Sequence, residues 1–249
     1  MLPIAHRGLW YPDSERQNTV DAMQMAVDRG FGIEIDVSKQ NTDYPNFGDE
    51  EIGVGHNLVP PEIVGPSIHP YEEVLAVAPL ILWNIKTLGL EQILPEFIFT
   101  RGLHETSIIF DQDFPGMPEN YSREFLARKV KVLVRVSDRE PDKVVGSDYH
   151  GVWLDQFDSD WVDQDVVAYW HDRGKAVFVV SPELHNRPLD LKKWFEWKEA
   201  DGICTDFPFL ASDLLAPNAE HASVLFPTNP WWQQPEWLQS VAEAQRMRP

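Results

Sequence analysis

The sequence is poor in cysteine and in basic residues. Its single cysteine, Cys204, excludes an intrachain disulfide, which suits a reducing compartment. Only 21 Lys and Arg stand against 40 Asp and Glu, so the formal net charge is −19. Such an acidic surface repels nucleic acid and anionic lipid over most of its area. We therefore expect no nucleic-acid partner, and an anionic substrate would need a local positive pocket.

Long apolar segments are also missing. The longest apolar run, residues 74–83, is broken at Pro79 and is far shorter than the roughly 20 residues that span a bilayer. The first residues show no basic stretch followed by an apolar core, which a signal peptide would require. These absences predict a cytoplasmic protein without membrane insertion.

What the chain does contain is a regular alternation of strand and helix patterns. Helical spacing of apolar residues marks segments such as 18–29, 161–173 and 189–200, the first with Asn18 as its predicted N-cap. Between the helical patterns lie short, mostly β-branched strand candidates at 2–6, 32–38, 80–86, 106–111, 131–137, 151–156, 175–181 and 202–206. Eight such units in one chain of this length predict a single-domain α/β protein, a (β/α)8 TIM barrel.

Two stretches depart from this pattern. Residues 40–66 are polar with several Pro and Gly, and we interpret them as a loop insertion after the second strand. Residues 216–249 are rich in Trp and Pro. We expect the barrel to occupy residues 1–215 and residues 216–249 to form a tail that packs on it.

Polar side chains near strand ends locate the chemistry, because the active sites of such barrels lie at the C-terminal ends of the strands. Glu34 and Asp36 alternate with apolar neighbours in the second strand, so both should point into the barrel. Two close buried anions need a cation, and carboxylate oxygens favour Mg²⁺ or Ca²⁺. The alternative is a surface strand with two solvated acids, although a parallel barrel strand has no solvent face.

The first and third strands supply further polar residues. His6 and Arg7 end the first strand, and Asn84 and Lys86 share one face of the third. Asn84 offers a neutral oxygen to a metal, and Lys86 either binds phosphate or extends out of the strand end into solvent. His56 follows a short apolar stretch, and it is either a surface residue or a partner for His6 in proton transfer.

Residues of the later strands leave several options open. Glu183 and His185, just past the seventh strand, are candidate substrate-reading groups. Arg135 either binds phosphate or pairs with a neighbouring acid. Asp155 is expected to be a structural hydrogen-bond acceptor, and Asp206 a turn or cap residue.

Taken in order, these motifs resemble the glycerophosphodiester phosphodiesterase family, which shares its barrel and catalytic arrangement with phosphatidylinositol-specific phospholipases C. The resemblance runs from His6 to about Leu210. It rests on His6-Arg7-Gly8, Asn18-Thr19, Glu34-x-Asp36, the histidine at 56, Asn84-Ile85-Lys86 and the segment 201–208, Asp-Gly-Ile-Cys-Thr-Asp-Phe-Pro.

The resemblance implies a hydrolase that depends on one divalent cation, Mg²⁺ or Ca²⁺, with Mn²⁺ as a further option. Its substrate would be a small phosphodiester with an alcohol or sugar head group. It makes His6 and His56 the acid–base pair, and Arg7 and Lys86 the phosphate-binding groups. The metal ligands it implies are Glu34, Asp36 and the residue at 84.

Two positions depart from the family pattern. Asn84 stands where the family has a third metal carboxylate, so the metal should bind more weakly unless Asp111 or Glu183 completes its shell. Asn57 stands where an aspartate usually follows the second histidine. These departures keep open the alternative of an inactive barrel that binds phosphorylated ligands. A separate alternative is a phosphodiester lyase that stops at a cyclic phosphate.

Overall fold

The structure is a computed structural model that describes residues 1–39, 52–56, 66–91, 93–111, 121–140, 145–188 and 191–215. The predicted tail at 216–249, most of the predicted insertion at 40–66, and Asn57 lie outside the described residues. No helix among the described residues is long and apolar enough to cross a membrane.

Eight parallel strands close into a barrel, which confirms the predicted (β/α)8 fold. The sheet order is β1-β9-β8-β7-β6-β5-β4-β2-β3, and pairing of β1 with β2 closes the cylinder. The strands are β1 (Leu2–His6), β2 (Gly32–Lys39), β3 (Ile52–Val54), β4 (Ile81–Ile85), β5 (Ser107–Asp111), β6 (Lys131–Ser137), β7 (Gly151–Asp155), β8 (Ala176–Val180) and β9 (Gly202–Thr205). Each of the eight predicted strands agrees with an observed strand to within one residue at either end. Strand β3 was not predicted.

Strand β3 is an addition to the barrel. It pairs antiparallel with the end of β2, with Val37 opposite Val54 and Lys39 opposite Ile52. The backbone N–H of Gly55 then donates to the carbonyl of Asp36 at 3.0 Å. The chain that leaves β2 is thereby brought back to the same strand, and this pairing sets the position of His56.

Helices cover the outside of the barrel. They are α1 (Val20–Val27), α2 (Glu72–Val77), α3 (Ile93–Thr100), α4 (Tyr121–Ala127), α5 (Gln164–His171), α6 (Leu191–Glu196) and α7 (Pro208–Leu215), with 3-10 turns at Ser14–Arg16, His69–Tyr71 and Pro182–His185. The prediction that Asn18 caps α1 is wrong. Thr19 is the cap, and its hydroxyl accepts a hydrogen bond from the N–H of Ala22 at 3.2 Å.

Each barrel strand divides its side chains between two cores. On β2, Ile33, Ile35 and Val37 pack outward against the helices, which leaves Glu34 and Asp36 facing inward. A separate cluster fills the barrel interior. It includes Phe110 and Trp153, whose rings stack at 4.7 Å. This apolar plug closes the interior beneath the strand ends, so polar chemistry is confined to the C-terminal rim.

Candidate active site

A cavity of about 240 Å³ opens at the C-terminal ends of the strands. It gathers side chains that lie far apart in the sequence. They are His6, Arg7, Glu34, His56, Asn84, Lys86, Phe110, Arg135, Trp153, Asp155, Phe157, Val180, Leu184, His185 and Cys204. Asp36 lies at the same place in the barrel, fully buried, and makes ion pairs with two of these residues.

Strand register explains why the predicted residues meet. His6 on β1 is paired with Glu34 on β2, and Asp36 on β2 is paired with Asn84 on β4. The turn after β1 then places Arg7 over β2. Arg7 has a φ of 58° and Gly8 a φ of 82°, and a Cβ at Gly8 would lie 2.7 Å from the backbone carbon of Ala22. Only glycine allows α1 to approach this turn so closely.

Asp36 is bound by two cations and an amide. Its Oδ2 lies 2.8 Å from Nε of Arg7 and accepts a hydrogen bond from Nδ2 of Asn18 at 2.9 Å, while its Oδ1 lies 3.0 Å from Nζ of Lys86. Burial acts to raise the pKa of Asp36, but the cations of Lys86 and Arg7 outweigh it and lower the pKa below its usual range. Asp36 is therefore an ionised carboxylate that holds both predicted phosphate-binding side chains in place.

Glu34 is buried to the same degree but has weaker charge compensation. Its Oε1 accepts a hydrogen bond from Nδ2 of Asn84 at 2.7 Å, and its Oε2 accepts one from the backbone N–H of Arg7 at 3.1 Å. Burial raises the pKa of Glu34 to about 7, and the neighbouring charge of Asp36 adds to the rise. An additional cation beside Glu34 would be needed to keep it fully ionised at neutral pH.

The carboxylate partner of His6 is Asp206, which the sequence predicted to be a turn or cap residue. Nδ1 of the His6 ring lies 2.7 Å from Oδ1 of Asp206, which follows β9. This contact holds the imidazole with Nε2 as the atom for a ligand. The position of Asp206 at the end of the last predicted strand was a signal for this role, since the same signal had pointed to His6.

His56 reaches the cavity from β3, and it is exposed. Its positive charge is one of the interactions that lower the pKa of Asp36, after those of Lys86 and Arg7. The structure thus brings His6, Arg7, Glu34, Asp36, Asn84, Lys86 and His56 together. Asp111 ends β5, but its side chain is outside what the structure describes.

Glu183 does not reach the cavity, so its predicted contact with substrate requires correction. The side chain is 0% exposed. Its carboxylate accepts hydrogen bonds from the hydroxyls of Ser181 and Thr205, and from the backbone N–H of Asp206 at 3.3 Å. Ser181 directly follows β8, whereas Thr205 ends β9 and Asp206 follows it. The buried carboxylate of Glu183 therefore connects the ends of these two strands and braces the backbone that carries Asp206.

The role of Asn18 was not predictable from the sequence. The residue has a φ of 57°, and its amide bonds Asp36 twice, once to the carboxylate and once through Oδ1 to the backbone N–H at 3.1 Å. The hydroxyl of Tyr71 donates to the carbonyl of Asn18 at 2.6 Å. Asn18 is thus a brace for Asp36, and the left-handed backbone that turns it inward has no pattern in the sequence.

The donor set fits a divalent cation that prefers oxygen. Oδ1 of Asp36 is buried and accepts no hydrogen bond, although the Lys86 ammonium lies beside it. Burial and the charge of Asp36 raise the pKa of Glu34 to about 7, so a cation beside Glu34 would favour its ionised form. Asn84 would present its Oδ1 after a rotation of the amide. Within the described part of the chain no group of three or more acidic, His or Cys side chains is arranged as a metal site, so the ligands present are few.

Comparisons with known proteins rest on structure alone. No protein-family model matches the sequence, and no curated protein matches it. A structure from Galdieria sulphuraria, named as a glycerophosphodiester phosphodiesterase, has a TM-score of 0.64 at 16% identity and covers 86% of this chain and 97% of its own.

Two further structures are similar in fold to this chain. A protein from Silicibacter pomeroyi, named as a glycerophosphoryl diester phosphodiesterase, has a TM-score of 0.58 at 15% identity, over 86% of this chain and 92% of its own. One of the same name from Parabacteroides distasonis has a TM-score of 0.53 at 14% identity, over 92% of this chain and 88% of its own. The resemblance that the motifs indicated is thereby confirmed at the level of fold: this chain folds as glycerophosphodiester phosphodiesterases do.

Proposed function

We propose that the protein hydrolyses a small phosphodiester, glycerophosphodiester-like, with the help of one divalent cation. The observation that carries the proposal is the convergence, in and directly beneath one cavity, of a carboxylate-backed histidine, two buried acids and two cations. A phosphodiester carries one negative charge, and Arg7 and Lys86 are the local positive groups that such a substrate needs on an acidic protein.

Charge stabilisation is the first task of the proposed site. During displacement at phosphorus, negative charge grows on the non-bridging oxygens and on the departing oxygen. Arg7 and Lys86 face the former, and their ion pairs with Asp36 keep both side chains oriented before substrate arrives. A divalent cation held by Glu34 and Asp36, with Asn84 as a neutral ligand, would polarise the phosphoryl oxygens when bound.

Proton transfer is the second task. His6 takes the proton of the nucleophile through Nε2, because Asp206 occupies its Nδ1. His56, at the open side of the cavity, gives a proton to the leaving oxygen. If the nucleophile is a hydroxyl of the substrate, a cyclic phosphate forms first and water then opens it.

The proposal is tested by assaying the purified protein with glycerophosphodiesters and with bis(p-nitrophenyl) phosphate, each with Mg²⁺, Ca²⁺ or Mn²⁺ and with a chelator. We expect turnover that the chelator abolishes and that His6→Ala and Glu34→Gln reduce by at least 100-fold while the fold is kept, as shown by circular dichroism. Equal turnover by the wild type and both variants would refute the assignment of the site. Turnover that a chelator leaves unchanged would refute the metal dependence alone.

Phosphorus NMR separates the alternative outcomes. A phosphomonoester end product supports hydrolysis, and a cyclic phosphate that persists identifies a lyase. Tight binding of a phosphodiester with no product under any metal would identify a barrel that only binds phosphorylated ligands. Activity is favoured over binding alone, since binding alone does not need a carboxylate-backed histidine. Six polar residues from the first strands line the cavity: His6, Arg7, Glu34, His56, Asn84 and Lys86.

A further inference from the structure

A second cavity, of about 300 Å³, is lined by side chains of α1, α7 and the segment after β1. Met25 comes from α1, Phe209 and Leu210 come from α7, and Leu9 and Tyr11 come from the segment after β1. Among the described residues it shares no lining side chain with the active-site cavity, so it is a separate feature of the surface. This cavity is called the α1–α7 groove below.

The groove leaves large apolar side chains exposed. Met25 is 44% exposed and Phe209 is 45% exposed. The two helices pack on the barrel through other residues, since Met23 of α1 and Ala211 of α7 are fully buried. Because the removal of apolar surface from water is favourable, an exposed patch of this kind favours an occupant.

The chain supplies a segment of matching composition. Residues 216–249 follow α7 directly and contain Phe226, Trp231, Trp232 and Trp237. A segment shorter than roughly 40 residues rarely builds a hydrophobic core of its own. The aromatic side chains of this segment therefore need the surface of the barrel if they are to leave water.

The position of α7 favours this groove over other apolar surfaces. The helix ends at Leu215, and Phe209 lies about 9 Å back along its axis at 1.5 Å per residue. An extended chain covers that distance in about three residues, and the groove borders α7 itself. By contrast, the exposed Tyr169 lies on α5, and α6 intervenes between α5 and α7 in the order of the barrel.

Charge separates two candidate occupants, this segment and a second copy of the chain. Asp213, which is exposed, lines the groove. Residues 244–249 contain Arg246 and Arg248 and no acid, whereas a second copy would bring another net charge of −19. Opposite charges attract and like charges repel across a contact, so the segment of the same chain is favoured.

We propose that the aromatic part of this segment, residues 226–237, docks in the α1–α7 groove of its own chain and covers Met25 and Phe209. The inference is independent of the proposed phosphodiesterase activity. Asp206 also lines the groove, and it is the acid that is hydrogen-bonded to His6. The docked segment therefore lies beside the acid that orients the imidazole of the active site.

Cross-linking of the full chain tests the location of the segment. Met25→Cys is combined with Gln233→Cys and treated with a short bismaleimide, and the natural Cys204 is protected because it is only 1% exposed. The matched control combines Gln233→Cys with Phe99→Cys, a position on α3 that is 51% exposed. We expect the Met25 pair to give at least about tenfold more cross-link within one chain, because docking raises the effective concentration of the two thiols.

Removal of an apolar side chain from the groove tests the contact itself. Phe209→Ser should release the segment, so that chymotrypsin, which cuts after aromatic residues, cleaves at Trp231 or Trp237 about tenfold faster than in the wild type. The same substitution should lower the cross-link yield of the Met25 pair. Phe99→Ser, which removes a similarly exposed phenylalanine from α3, should change neither measurement. If Phe209→Ser is poorly folded by thermal melting, Met25→Ser serves in the cleavage assay.

Three outcomes would overturn the inference. One is an equal yield of cross-link from the two cysteine pairs, and another is a cleavage rate that Phe209→Ser and Met25→Ser leave unchanged. The third is cross-linking between two chains in place of cross-linking within one, which would put a second copy in the groove. Turnover of phosphodiesters enters none of these measurements, so failure of the proposed function would leave this inference standing.

Discussion

Nδ1 of His6 lies 2.7 Å from Oδ1 of Asp206, so the first and last strands of the barrel jointly orient the imidazole that we propose as a proton-transfer group. The two residues are 200 positions apart and meet because β1 and β9 are neighbours in the closed sheet. The site is therefore completed only when the cylinder closes.

Replacement of Asp206 should impair catalysis more than folding. Asp206→Asn keeps the size of the side chain but removes the charge that orients the His6 ring, and we expect kcat to fall about 100-fold. Steady-state kinetics on a glycerophosphodiester would measure the loss. Asp213→Asn, a change at an exposed acid of α7, is the control and should retain full activity. An Asp206→Asn enzyme with wild-type kcat would show that His6 does not depend on this partner.

Substitution of Asn84 should tune cation affinity. In Asn84→Asp, a second carboxylate faces Oε1 of Glu34 at the position of the present 2.7 Å hydrogen bond. The repulsion should lower the melting temperature in chelator, and Mg²⁺, Ca²⁺ or Mn²⁺ should restore it. Calorimetric titration should give about tenfold tighter binding of the cation, equivalent to roughly 1.4 kcal/mol. An affinity identical to that of the wild type would mean that residue 84 does not contact the metal.

Loss of Glu183 should be a stability defect. Glu183→Ala leaves the buried donors of Thr205, Ser181 and Asp206 without their acceptor, and we expect the free energy of unfolding to fall by about 2 kcal/mol. Urea denaturation would measure this change. A variant with unchanged stability and a raised KM would instead support the substrate contact predicted from the sequence.

Asp138 should make the stability of the folded protein depend on pH in the acidic range. Its carboxylate accepts hydrogen bonds from the backbone N–H groups of Phe157, Asp158 and Ser159 at 3.0, 2.8 and 2.7 Å. Burial acts to raise its pKa, but these N–H donors prevail and lower the pKa below the ordinary 3.8.

A pKa that is lower in the folded state gives stability that is complete above pH 3.8 and is lost as pH falls through the lowered value. Asp138→Asn should therefore melt below the wild type at pH 7, and the gap should shrink below about pH 4. Thermal melts across this range would measure the gap. A gap of constant size would exclude ionisation of Asp138 as its source.

Much of the barrel was predictable because parallel strands buried on both faces have a simple pattern. Glu34 and Asp36 interrupt an apolar strand at every second residue, and that spacing alone places both inside the cylinder. Residues at the ends of β1 and β4 follow by the same rule, since all the strand ends of a parallel barrel meet at one rim.

Other residues were not predictable because their partners decide where they go. Glu183 and His185 are two positions apart just past the same strand, and the first is buried by Ser181 and Thr205 while the second faces the cavity. Asparagine is a residue type that favours the N-cap of a helix, yet at Asn18 a backbone φ of 57° turns the side chain toward Asp36. Contacts of this kind depend on neighbouring elements in three dimensions, which local patterns do not record.

Because β3 pairs antiparallel with β2, the position of His56 at the site is independent of the length of the chain between these two strands. His56 takes its position from the pairing of Val54 with Val37, so the number of residues that connect the two strands does not enter that geometry. Insertions or deletions between positions 39 and 52 should be accepted without displacing the imidazole from the rim.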